Sequence, residues 1–92
     1  MNKDTLVEAI VKRIIQGRHG RFTVTSAKRF TGSVTFSLEN GAWQEKEDPE
    51  PGTYVVLSDI RKRRIKGKRV QWQAHKARFF RIEDEEKKEV SQ

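Results

Sequence analysis

The side chains with the most pronounced chemistry in this chain are cations. Arg61, Lys62, Arg63, Arg64, Lys66, Lys68 and Arg69 make seven of the nine residues from 61 to 69 positive. Such a run is suited to neutralising a polyanion, whose condensed counterions are released on binding and give a salt-dependent affinity. In the stretch that follows, strand alternation sets Arg69, Gln71, Gln73 and His75 on one face, as donors for phosphates or base edges. Lys76 and Arg78 continue that surface. A second group, Lys28-Arg29-Phe30, puts a ring beside two cations. The ring either stacks on a base, a contact worth roughly 1 to 3 kcal/mol, or turns inward to close one end of the core. Arg21, after Arg18 and His19, adds further charge. The plainer reading of the basic run is a solvated hairpin tip whose charges blunt a sheet edge.

Catalytic and metal chemistry find little material. There is no cysteine, which excludes disulfides, thiolate nucleophiles and sulfur-ligated metals. The two histidines, His19 and His75, are far apart, and no Ser/His/Asp arrangement stands out. Glu45, Glu47 and Asp48 lack a metal-binding spacing. Gly17-Arg18-His19-Gly20 has neither a strand before it nor a helix after it, as a phosphate loop would need. The expectation is a non-catalytic protein with no cofactor and no metal.

The elements that must position these groups fit one small domain. The chain has 92 residues, 34% hydrophobic and 36% charged, with a net charge of +7. That charge is localised: residues 1–50 sum to +1, residues 51–81 to +9 and residues 82–92 to −3. The division expected is a domain over 1–82 and a frayed acidic tail over 83–92. The longest apolar stretch, Leu6 to Ile15, is broken by Glu8, Lys12 and Arg13, and no cleavable leader is evident. A cytoplasmic protein without a membrane partner is expected.

Leu6, Val7, Ile10, Val11, Ile14 and Ile15 recur at helical spacing, which predicts an amphipathic helix over about 5–16. The period then changes to two. Arg21 to Ser26 and Ser33 to Leu38 predict half-buried strands, and Asn40-Gly41 predicts a hairpin into a short strand at 42–46. Residues 47–52, with two prolines, predict a loop, and Thr53 to Ile60 a central strand. A second hairpin turns within 61–69, using Gly67, and returns through Val70, Trp72 and Ala74 facing inward. To avoid burying Lys76 and Arg78, the strand needs a bulge or sharp bend near 75–77, after which Phe79 or Phe80 and Ile82 re-enter the core.

Five short strands with closely spaced turns predict a mainly β fold, a small antiparallel barrel preceded by one helix. Gly32 to Phe36, Pro51 to Leu57 and Gln73 to Arg78 resemble strands of the OB-fold group, within it the cold-shock type, over residues 20–82. The resemblance implies a groove bordered by the connection between strands four and five, and a single-stranded DNA or RNA ligand. The paired aromatic motifs of cold-shock proteins are absent, leaving Phe36 and Trp43 among serines and threonines. An SH3-like barrel has the same strand count. A module for protein interaction or assembly, with the basic hairpin on an acidic protein surface and a second subunit against the N-terminal stripe, Trp43 or Phe79-Phe80, is the competing function.

Overall fold

A computed structural model describes residues 4–30, 32–64, 67 and 70–85. It contains five strands: β1 (Val7–Gly17), β2 (Gly20–Ser26), β3 (Ser33–Ser37), β4 (Tyr54–Arg64) and β5 (Val70–Phe79). They form one sheet that closes in a ring in the order β1-β2-β3-β5-β4, with β4 pairing back onto β1. The sheet is mixed rather than antiparallel throughout, because β3 runs parallel to β5, with Val34 opposite Trp72 and Thr35 opposite Gln73. The long segment 38–53 separates β3 from β4 and lets the chain enter β5 alongside β3 in the same direction.

The N-terminal segment expected as a helix is strand β1. Val7, Ala9 and Val11 are buried while Glu8 and Ile10 are only half-buried, a period of two. Five of the six stripe residues, Val7, Ile10, Val11, Ile14 and Ile15, are β-branched, and such residues suit a pleated surface. A bulge at Lys12, between the pairs Val11 opposite Thr25 and Arg13 opposite Val24, shifts the alternation. Paired apolar residues every four positions therefore reflect a strand with apolar material on both faces, which a helical wheel also accommodates. The only helix among the described residues is one turn at 82–85.

Asn40-Gly41 does not close a hairpin. Gly41 has φ 92°, but Asn40 is not in the left-handed region that a type I′ turn requires of both residues. Its Oδ1 instead accepts a hydrogen bond from the Ala42 N–H at 3.1 Å. The expected strand at 42–46 reduces to a single parallel bridge, Trp43 with Ala77. Segment 38–53 works as a plug. The Trp43 ring stacks on Phe36 at 5.4 Å and meets the edge of Phe79 at 4.9 Å, and its Nε1 donates to the Glu47 carbonyl at 2.8 Å. Around it the core is built from Val7, Val11, Val34, Phe36, Val55, Leu57, Ala74 and Ala77.

β4 and β5 bend together. Leu57 and Ile60 both face inward, as do Ala77 and Ala74 opposite them, so each strand reverses its alternation within three residues. The register does not change across the bend, and no bulge is needed. Asp59, at φ 50°, is the residue that turns, in a conformation that Asp tolerates better than most residues. Beyond it the ladder runs on through Arg61, Lys62, Arg63 and Arg64, opposite Gln73, Trp72, Gln71 and Val70. Phe79 packs on the core, whereas Ile82 is 81% exposed and does not re-enter it. Asp84, expected in the frayed tail, is buried and bound to Arg78.

Candidate nucleic-acid interface

The described part of the basic run, Arg61 to Arg64, lies on a two-stranded arm, opposite Gln73 to Val70. Arg61 to Arg64 are all exposed on β4. Alternation puts Arg61 and Arg63 on the side of Gln73 and Gln71, and Lys62 and Arg64 on the side of Trp72 and Val70. The charge is thus divided between two faces. Arg61 turns back on its own strand, donating from Nε and Nη2 to the two carboxylate oxygens of Asp59 at 3.1 and 2.9 Å, and that contact strengthens its hold on its proton. Lys62, Arg63 and Arg64 make no ion pair with another described residue. The candidate residues Lys66, Lys68 and Arg69 lie outside the described residues.

At the base of this arm the outer face of β2, β3 and β5 forms a groove of about 380 Å³. Arg63, Gln71 and Gln73 line one side, and the tight β1–β2 turn of Arg18 and His19 lines the other. Thr35 and Ser37 supply polar groups from β3. The aromatic group of this groove is Phe22, which the sequence pattern does not single out. In β2 the usual polarity is inverted: Thr23 and Thr25 are fully buried, and Phe22 faces outward with Ser37 opposite it. Thr25 is accommodated because its hydroxyl donates to the Val34 carbonyl at 2.9 Å. The Phe22 ring lies across β1 at Gly17, where a Cβ would stand 3.0 Å from the ring. A side chain there would press on the ring and on the Gly20 carbonyl, 3.1 Å away, and displace them by a few tenths of an ångström.

Arg21 borders the same groove, but its guanidinium is engaged. Nε donates to Glu39 at 2.9 Å and Nη1 to Asp48 at 2.5 Å, tying β2 to segment 38–53. Hydrogen bonds to Asp48 and then to Glu39 raise the affinity of Arg21 for its proton, and Arg21 in turn holds the Glu39 carboxyl below its ordinary range. Arg78 is likewise occupied, donating to both oxygens of Asp84 at 2.8 and 2.6 Å, a bond that raises its own pKa. Both are structural ion pairs that a ligand would have to break.

The remaining candidates are spread around the ring. Phe30 is half-buried and packs with Trp72 against the edge of the core, their ring centroids 5.0 Å apart. Lys76 is exposed opposite Ser58, away from the Phe22 groove. Lys28 and Arg29 border a different groove, formed by β1 and β4. Trp43 and Phe79, considered as contacts for a second subunit, belong to the core. The structure therefore unites Arg63, Gln71, Gln73 and Arg21 with Phe22, and separates them from Lys28, Arg29 and Lys76.

Among the described residues no group of His, Asp and Glu is arranged to hold a metal ion, and no helix is long and apolar enough to cross a membrane. Compared with protein-family models, with curated proteins and with solved structures, the chain shows no match.

Proposed function

We propose that this chain is a non-catalytic protein that binds single-stranded DNA or RNA on an OB-like barrel, across the Phe22 groove and along the basic β4–β5 arm. The observation that carries the reading is Phe22, an aromatic ring facing outward from β2 among the donors Arg63, Gln71 and Gln73. Aromatic faces stack on bases of any sequence while flanking cations follow the phosphates, which is how single strands are held without strict sequence readout. A closed five-strand order with β3 parallel to β5 favours the OB-like over the SH3-like alternative. In OB-like barrels the face of strands two and three, with the loops joining strands one to two and four to five, carries the oligonucleotide. Here those elements are Phe22, Thr35 and Ser37, the Arg18-His19 turn and the arm.

Lys62, Arg63 and Arg64 would supply phosphate contacts, with Lys66, Lys68 and Arg69 next in sequence. Arg21 and Arg78, bound to carboxylates, contribute less than their charge suggests. Titration of short fluorescent single-stranded DNA, RNA and duplex at two salt concentrations tests the reading. If about five phosphates are neutralised, log K falls with log salt at a slope of about −3.5. Reversing the charge of Arg63 and Arg64 together is expected to weaken single-strand binding by about tenfold or more. Absence of wild-type binding at about 50 mM salt removes the nucleic-acid reading. Binding that is unchanged in the double variant removes the arm from it.

A further inference from the structure

Lys28 and Arg29 end at a second groove, larger than the first at about 720 Å³, on the outer face of β1 and β4. Its bed is apolar: Leu6 just before β1, Ile10 from β1, Tyr54 and Val56 from β4, and Phe80. Ile10 pairs with Ser26 on one side and with Tyr54 on the other, so the groove crosses the strands. It runs from the Lys28-Arg29 end, past Ile10, to Tyr54 and Phe80. Leu6 is 44% and Tyr54 56% exposed, which is a large amount of apolar surface to leave in water for a chain with so little of it. Built ligand sites span roughly 300 to 1,000 Å³, and this groove lies within that range.

The charge around this groove is unequal at its two ends. Lys28 and Arg29 make no ion pair with another described residue. At the far end Asp84 is neutralised by the two bonds from Arg78. A nucleic acid fits poorly, because its phosphates would cross an apolar bed that Glu8 also lines, with cations at one end only. A second copy of this chain also fits poorly. Two hollow faces leave each other unfilled, and the protruding part of the molecule, the arm, would bring like charge to Lys28 and Arg29.

We propose that this groove docks an extended peptide segment of a protein partner, with an apolar anchor over Leu6, Ile10, Tyr54 and Phe80 and a carboxylate at the Lys28-Arg29 end. This does not rest on the nucleic-acid reading, since no residue lines both grooves. The anchor would gain from leaving water, and the carboxylate would set direction and discriminate between partners.

The test is titration of the isotope-labelled full chain, followed residue by residue in solution, with two short peptides. One carries leucines and a phenylalanine followed by consecutive glutamates; the other is the same with lysines in place of the glutamates. The glutamate peptide is expected to shift the signals of Leu6, Ile10, Lys28, Arg29 and Tyr54 and to leave Gln71 and Gln73 unmoved. In the double variant Lys28→Glu/Arg29→Glu its affinity is expected to fall by about fivefold or more, while the lysine peptide, silent on the wild type, gains binding. The proposal is overturned by no shift, by shifts confined to the Phe22 groove, by equal binding of the two peptides to the wild type, or by affinities unchanged in the variant. A single-stranded oligonucleotide that moves the Leu6 and Tyr54 signals also overturns it, by assigning the groove to nucleic acid.

Discussion

The two grooves on the outside of this ring lie on the same sheet and differ in almost every other respect. One, on β2, β3 and β5, is paved with Thr35, Ser37, Gln71, Gln73 and Arg63 around a single ring, Phe22. The other, on the first halves of β1 and β4 and the residues just before β1, is paved with Leu6, Ile10, Tyr54 and Val56, and its two cations stand at one end. A closed sheet has one inner face to fill and a long outer face to use, and here the outer face is divided by chemistry. The contrast shows that net charge alone is a poor guide to surface: cations that lie together in a charge count serve different neighbourhoods in space. It also explains why the chain is apolar on both sides from Leu6 to Val11, with Val7, Ala9 and Val11 toward the core and Leu6 and Ile10 toward the second groove.

The comparison is most severely tested at the core that both faces share. Trp43→Ala removes the ring that stacks on Phe36 and Phe79. It is expected to cost about 3 to 5 kcal/mol in urea unfolding, as burying and then deleting a large aromatic side chain does. A loss below about 1 kcal/mol would mean that segment 38–53 is not part of the folded unit. Phe22→Ala then separates the faces. Oligonucleotide affinity is expected to drop by about 1 to 3 kcal/mol, with the binding of the glutamate peptide unchanged. If both ligands weaken together, the grooves are coupled through β1 and β2, and the division into two surfaces fails.

The smallest effect concerns the ion pairs that hold segment 38–53 to β2. The hydrogen bond from the Arg21 side chain, then that from its backbone N–H, holds the Glu39 carboxyl below its ordinary value of 4.5 in the folded protein. The unfolded chain therefore takes up the proton first on acidification. The stabilisation from Glu39 is complete above that ordinary value and is lost as the pH falls through it towards the folded-state value. In Glu39→Gln this dependence is absent, so the difference in urea midpoint between wild type and variant should shrink from about pH 6 to about pH 3. A constant difference would show that Glu39 acts by packing rather than by charge.

Much of the ring is legible in the sequence because it follows local alternation. Val34 and Phe36, or Val55 and Leu57, face the core as their spacing predicts. β1 is not, since two apolar faces erase the period of two that separates strand from helix. Nor is the parallel neighbour of β3, because segment 38–53 could return the chain on either side of β3, and the Asn40-Gly41 signal favours a local hairpin that the plug replaces. The site divides in the same way. Arg63, Gln71 and Gln73 are readable from the alternation that continues past Ala74. Phe22 is not, because the expectation that apolar residues face inward gives the opposite answer where Thr23 and Thr25 are buried. The engagement of Arg21 with Glu39 and Asp48, 18 and 27 residues away, is a tertiary fact with no local trace.

Because β4 and β5 keep one register from Ile60 opposite Ala74 to Arg64 opposite Val70, while Trp72 and Gln73 also pair with β3, the arm can change length without disturbing the ring only beyond Lys62 and Trp72. Each added pair of residues, one on either strand, would extend its reach by about 3.4 Å. Length and orientation are nevertheless bound to each other. One pair inserted just beyond Lys62 and Trp72 would turn the outer part over, carrying Arg63 and Gln71 away from the side of Phe22 and putting the inserted pair in their place, whereas two pairs would restore the original facing. Lengthening the arm while keeping its facing is thus quantised in steps of two pairs, and a single insertion beyond Trp72 would rewrite the composition of the groove while leaving the pairing of β3 with β5 intact.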